Sequence, residues 1–206
     1  MLREQILRHK VSLLAYCITS NHTHLLVNAH GKEQISRLMQ CLEGDFAQAY
    51  NIRKKRSGAF WQDRYHATLV DGNEHLWRCL RYIDLNMVRA GVVRHPEEWE
   101  WCGYRELLGI RKRYCLLDED RLSEALGDGV DLERLRRMHG ENVMAALVAG
   151  EMQREGMWTE NVAVGSREFV ETVKETLKNH RRREIAEADE NGSWVLREHT
   201  DYPYTS

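Results

Sequence analysis

Two histidines, a tyrosine and an asparagine are the residues whose types and spacing point to chemistry. His22 and His24 stand two apart in the apolar, β-prone run Ile18-Thr-Ser-Asn-His-Thr-His-Leu-Leu-Val27, and in a strand residues i and i+2 point to one face. The strand rise sets them about 7 Å apart along the chain, close enough for both imidazoles to share one metal ion. Tyr82 and Asn86 are four apart in a helical pattern, one turn from each other, and Arg78 and Arg89 bracket them with positive charge. A tyrosine hydroxyl, with its ordinary pKa of about 10, is a poor nucleophile until a base or nearby cation lowers the cost of the phenolate. A divalent cation held by two imidazoles and a side-chain carbonyl can polarise a phosphodiester. Asn86 is the candidate for that carbonyl, leaving positions open for substrate and water. Attack by Tyr82 on phosphorus would then cut DNA and leave a covalent phosphotyrosine.

Each of these residues taken alone also fits packing: an isolated His-x-His occurs in ordinary strands, and a helical tyrosine facing a sheet usually fills core. Their combination, and the elements that must hold them, decide the reading.

The hairpin comes first. Leu2, Ile6 and Leu7 have helical spacing, then strands are expected at 11–19 and 22–27 around a tight turn at Ser20-Asn21. From 33 to 53, Ile35, Leu38, Met39, Leu42, Phe46, Ala49 and Tyr50 follow a 3.6 period, predicting a long amphipathic helix. It ends in Arg53-Lys54-Lys55-Arg56, where positive charge complements the helix dipole. Aromatic and basic residues then interleave through Phe60, Trp61, Arg64 and Tyr65, followed by a strand at 67–70. The turn Asp71-Gly72-Asn73 opens a helix over 74–88, whose stripe Leu76, Leu80, Ile83 and Met87 should face the sheet. Beyond a boundary near 113, helical patterns run over 118–126, 131–138, 140–156 and 166–189, and the tail from 191 has no clear period.

At 206 residues, with 42% apolar and 30% charged residues, the chain is of ordinary globular composition. It holds no run near the roughly 18 apolar residues of a membrane span, and its charged start is unlike a signal peptide, so a cytoplasmic protein is expected. Five cysteines without a C-x-x-C pair suggest neither a zinc ribbon nor a disulfide framework. A net charge of −2 excludes a protein coated in basic surface, but local clusters stand at 53–56, 111–113 and 181–183.

Four ordered motifs carry a resemblance: Asn21-His-Thr-His-Leu-Leu-Val27, Gly58-Ala-Phe-Trp-Gln-Asp-Arg-Tyr65, Tyr82-Ile-Asp-Leu-Asn86-Met-Val-Arg-Ala-Gly-Val92 and Trp99-Glu-Trp101. Over residues 1 to 109 or so the sequence resembles the IS200-like (Y1, HUH-type) transposases, nearest the branch called REP-associated tyrosine transposases. Ala163-Val-Gly-Ser-Arg-Glu-Phe169 also looks like a segment found downstream in some members.

The resemblance implies an α+β fold, an antiparallel sheet with helices on one face (the ferredoxin-like HUH arrangement), followed by a helical C-terminal region. The expected division is a catalytic domain at 1–112, a helical region at 113–190 and a tail at 191–206 that is poorly ordered. It implies that His22, His24 and Asn86 bind Mg²⁺ or Mn²⁺ and that Tyr82 is the nucleophile. The implied substrate is single-stranded DNA beside a hairpin, nicked and rejoined through a 5′-phosphotyrosine by a monomer or homodimer.

Phosphate contacts are expected from Arg53, Lys54, Lys55, Arg56 and Arg64, with Phe60, Trp61 and Tyr65 as candidate faces for unstacked bases. The family usually has Pro where this chain has Met87, a change that only lifts a backbone restriction on Asn86. It also usually begins with a further basic strand, and here Met1 already lies at the first helix. That departure keeps open a non-catalytic nucleic-acid-binding protein of the same fold, and a metal-dependent hydrolase using water is the third reading.

Overall fold

In the computed structural model, residues 1–127, 130–177, 182–190 and 192–198 are described. Helix α1 (Leu2–His9) ends at Lys10, whose left-handed backbone lets Val11 N–H reach Ile6 O at 3.0 Å and turns the chain into β1 (Ser12–Ile18). A tight turn, closed by Thr19 N–H to His22 O at 3.0 Å, leads to the antiparallel β2 (Thr23–Asn28), so the expected hairpin forms. Then come α2 (Lys32–Lys54), the short β3 (Leu69–Val70), α3 (Asn73–Asp84) and α4 (Asn86–Arg89). The remainder holds α5 (Tyr104–Leu107), α6 (Glu119–Ala125), α7 (Leu132–Ala149), α8 (Met157–Glu160), β4 (Ala163–Gly165), α9 (Arg167–Thr176), β5 (Arg183–Glu187) and β6 (Trp194–Glu198).

The class is α+β, and the strands fall into two sheets: the hairpin β1-β2, and a mixed sheet of order β3-β4-β6-β5 in which only β3 and β4 run parallel. The side of β1 away from β2 is covered by irregular chain. Ile18 N–H donates to Trp101 O and Gly103 N–H to Tyr16 O, both at 2.9 Å, and Asp118 N–H donates to Leu13 O at 2.8 Å. These bonds satisfy an edge that would otherwise be open. Glu106, 2% exposed, anchors the same segment: its carboxylate accepts the amide protons of Leu116 and Leu117 and the hydroxyl proton of Tyr16. No described helix is long and apolar enough to cross a membrane.

Three expectations change. The helix foreseen over 166–189 stops at Thr176, and Arg183–Glu187 is β5, because pairing with β6 along its whole length outweighs the helix preference of its Glu, Ala and Arg residues. The two helices foreseen at 131–138 and 140–156 are one, α7, running through Gly140 and ending where Gly150 turns left-handed at φ 67°. Within the stretch read as a tail, 194–198 form the strand between β4 and β5, with Val195 and Leu196 fully buried. Burial on both faces removes the alternation that marks a half-exposed strand. Residues 191 and 199–206, with Arg181 of the third basic cluster, lie outside the described residues.

The main core includes residues from both sides of position 113. One buried cluster joins Leu14, Leu76, Leu80, Ile83 and Met87 to Leu122, Leu135, Val143, Trp158 and Val195. At its centre Asp84 of α3, 2% exposed, meets His139 of α7, fully buried, with Nε2 and Oδ2 at 2.7 Å. Cys102 Sγ donates to the other carboxylate oxygen at 3.1 Å, and Trp77 stacks on the imidazole at 6.3 Å.

Removing one partner of such a buried pair strands the other, at about 3–5 kcal/mol. His139→Ala is therefore expected to lower the urea unfolding free energy by roughly that amount, with the loss read from a shifted midpoint. The thiols offer a second check. Cys115 is exposed and Cys41 partly so, whereas Cys17, Cys79 and Cys102 are buried, and burial pushes the Cys79 thiol up to about 12. At pH 8 an aromatic disulfide reagent should label Cys115 first and Cys41 more slowly, and the three buried thiols only after unfolding; fast native labelling of Cys79 would contradict this packing.

Candidate active site

The hairpin places His24 on β2 and His22 in the turn just before it. Behind them β1 buries Leu13, Leu14, Ala15, Tyr16 and Cys17, and Leu26 of β2 is buried as well. The imidazole centroids of His22 and His24 lie 4.9 Å apart with planes at 82°, closer than the backbone spacing because both side chains lean to one place.

His22 is held at its Nδ1, which lies 2.8 Å from Asn21 Oδ1 and 3.0 Å from Thr19 Oγ1. With Asn21 Oδ1 accepting, the proton sits on Nδ1 and the Nε2 lone pair is left for a cation. This is the outer-shell orientation that metal-ligating histidines generally require. Burial, then the neighbouring His22 and Arg89, lower the His24 pKa to about 4, so this imidazole is neutral at physiological pH and its lone pair is also available.

Helix α3 presents Tyr82 to this pair. Its apolar stripe packs inward as expected, with Leu76, Leu80, Ile83 and, beyond the helix, Met87 all buried. Tyr82 on the adjoining face meets His24 edge-on, ring centroids 5.9 Å apart at 81°. The ring is covered, leaving the residue 4% exposed.

The helix expected over 74–88 is interrupted at Leu85, and the side chain of Arg89 reaches back across the break. Its guanidinium donates to Tyr82 O at 2.7 Å and lies 4.0 Å from the ring centroid. Burial draws the Arg89 pKa down, opposed by Tyr82 and Glu155, and an arginine keeps its charge through such shifts. A cation over the ring face is suited to an anion arriving at the tyrosine.

The bracketing pair of arginines thus divides. Arg78 faces the C-terminal part of the chain, donating to Asp189 at 2.5 Å and Ser193 at 2.7 Å, with Glu155 at 3.7 Å. Asn86 stands partly exposed at the start of α4 and forms no side-chain hydrogen bond with either histidine. Among the described residues no group of three or more His, Cys, Asp or Glu side chains gathers as a metal site. Arg53, Lys54, Lys55, Arg56 and Arg64 are exposed at the end of α2 and in the loop after it, an element away from Tyr82.

Two neighbours of Tyr82 were not foreseen from the sequence. Trp158 of α8 lies 6.3 Å from the Tyr82 ring and under Arg78 at 5.9 Å, and Glu155 acts on Arg89 through space. Both sit more than seventy positions along the chain, in a segment whose sequence shows only helical period. An isolated tryptophan at the end of a helical run is the one signal that marked it.

His22, His24, Tyr82 and Arg89 are thus brought together by the fold, with Asn86 one helical turn beyond the tyrosine. The arrangement sets a tyrosine hydroxyl beside two imidazoles and a fixed cation, groups suited to chemistry on a phosphodiester. No curated protein and no solved structure matches this chain. Residues 1–86 match the family model described as "Transposase IS200 like", a span that takes in His22, His24, Tyr82 and Asn86, and this supports the IS200-like transposase family for that part of the chain.

Proposed function

We propose that this protein is a metal-dependent tyrosine transposase that nicks and rejoins single-stranded DNA next to hairpins of the REP-like palindromic kind. The observation that carries the reading is Tyr82 set edge-on to His24 at 5.9 Å with Arg89 at 4.0 Å over its ring. Residues 1–112 form the catalytic part in this reading, and 113–190 support it.

Tyr82 Oη attacks the scissile phosphorus. A new O–P bond forms, the bond from phosphorus to the 3′ oxygen breaks, and the 3′ end leaves as a hydroxyl while the 5′ end stays on the tyrosine. The phenol proton is given up to water. Attack by a 3′ hydroxyl on the phosphotyrosine reverses the sequence and rejoins DNA. Arg89 neutralises charge on the non-bridging oxygens, where a preplaced donor acts most strongly in a site shielded from water.

The histidine pair fits a divalent cation such as Mg²⁺ or Mn²⁺: both rings are close, both have a free lone pair, and His22 is oriented from behind. His22 and His24 would hold it, with Asn86 supplying the third ligand, and when bound it would polarise the phosphodiester. The remaining positions would be filled by water and phosphate oxygens, as hard divalent cations prefer. The cations at 53–56 and Arg64 would meet the DNA backbone, in the cytoplasm, by one chain or a pair.

A second reading, a binding protein of the same fold that does not cut, draws on the cover that Trp158 and Arg89 place over the Tyr82 ring. A labelled single-stranded hairpin oligonucleotide with Mg²⁺ or Mn²⁺, run on a denaturing gel, separates the two. The transposase reading expects a covalent protein–DNA band that Tyr82→Phe abolishes without loss of binding. Binding with no band in the natural protein supports the second reading, and cleavage persisting in Tyr82→Phe would point to water as nucleophile. Arg89→Ala is expected to slow adduct formation by about 10²- to 10³-fold, the usual loss for one transition-state donor. His22→Ala should remove the dependence on added metal along with the activity.

A further inference from the structure

We infer that the outer end of α2 and the loop folded back on it form a stacking platform for the unpaired bases of single-stranded DNA, separate from Tyr82. The choice of DNA rests on the transposase reading above; the platform itself rests on geometry. Phe46 and Tyr50 are one turn apart on α2, with ring centroids 6.2 Å apart and nearly parallel at 23°. Phe60 lies 4.7 Å from Tyr50 and 5.1 Å from Phe46, and Trp61 lies 5.6 Å from Phe46. Four aromatic rings thus join in one patch, yet Phe46 is 39% and Trp61 37% exposed.

These rings are not core. Among the described side chains of α2, Leu38 is the one in the buried core, and the stripe runs on through Phe46 and Tyr50 to meet Phe60 and Trp61 of the loop that follows. That loop is fixed. Trp61 Nε1 donates to Glu43 O at 2.9 Å, Asn51 Nδ2 to Gly58 O at 3.0 Å, and Arg56 to Ala59 O at 2.9 Å. Gly58, at φ 93°, takes the backbone conformation that the reversal needs. The patch is therefore an ordered aromatic surface held open to solvent, at odds with a site that exists only to pack.

Charge selects the occupant. Arg53 and Arg56 lie 5.7 and 6.0 Å from the Tyr50 ring centroid. None of Arg53, Lys54, Lys55, Arg56 or Arg64 forms an ion pair among the described residues. Two arginines against the Tyr50 ring, in a run of cations without an ion pair among the described residues, match a strand that offers a phosphate and a base at each step. A second copy seated on the same face would set five cations against five, and duplex DNA hides its base faces in the stack.

The test uses the full chain with Tyr82→Phe, so that binding is read without covalent capture, and fluorescence anisotropy of three probes: oligothymidylate, an abasic sugar–phosphate strand of equal length, and a duplex. Oligothymidylate should bind best. Phe46→Leu and Trp61→Leu, which keep apolar bulk but remove the ring face, should each weaken it by about tenfold, within the range of one lost base stack, and leave the abasic strand unchanged. Arg53→Gln with Arg56→Gln should weaken both strands and flatten the salt dependence by about 1.4 in logarithmic slope.

Equal binding of the base-bearing and abasic strands, or no response to the ring variants when circular dichroism shows them folded, would overturn the platform. So would sedimentation showing a dimer that the ring variants dissociate while DNA affinity holds. Failure of the adduct assay with these binding differences intact would sink the catalytic reading alone.

Discussion

A carboxylate buried at the C-terminal end of the helix that carries Tyr82 is the constraint from which much of this structure follows. Asp84 lies two residues from both Tyr82 and Asn86 and is shut off from water. A buried carboxylate needs a partner on site, and that partner, His139, comes from a helix 55 positions away. Satisfying Asp84 therefore brings α7 down onto α3, with Trp77 and Tyr104 closing around the imidazole. The segments after α7 are then led back past the same helix, where Arg78 holds Asp189 and Ser193. The C-terminal part is thus locked to the site helix from both sides.

The hairpin that carries the histidines depends on a different support. On its far side β1 meets chain segments rather than another full strand, and a few well-placed amide bonds with residues 101–103 and 118 satisfy that edge. Among the described residues β2 pairs only with β1, so the histidines sit on a two-stranded ribbon whose rigidity comes from what packs behind it. Trp99 contributes by donating its indole N–H to Ile18 O at 3.0 Å, just before the turn that holds His22. The Trp99-Glu-Trp101 motif thereby buttresses the hairpin.

Charge is segregated rather than abundant. The chain is slightly acidic overall, and most arginines near Tyr82 are engaged, Arg78 with carboxylates and Arg89 with the tyrosine itself. A run of cations without an ion pair among the described residues stands at the end of α2 and in the loop after it. Cations already paired gain little from a phosphate, because a new contact must displace an existing one, so the free ones carry the attraction for a polyanion.

How much of this was legible in the sequence depended on range. The hairpin, the long helix at 33–53, the inward stripe of α3 and the pairing of His22 with His24 were all readable, since each is set by spacing of two to four residues and by local backbone preference. The ordered motifs pointed to the IS200-like family that the match over residues 1–86 supports. What only the tertiary structure decided was who meets whom across long separations. Arg89 rather than Arg78 lies over Tyr82, because the helix breaks at Leu85 and lets it turn back, while Arg78 is drawn to Asp189, 111 positions away. Trp158 over the tyrosine, His139 on Asp84 and β6 between β4 and β5 likewise rest on contacts between distant segments. Local periodicity encodes which face of an element is apolar; the burial of a charge or a strand edge decides which partner covers it.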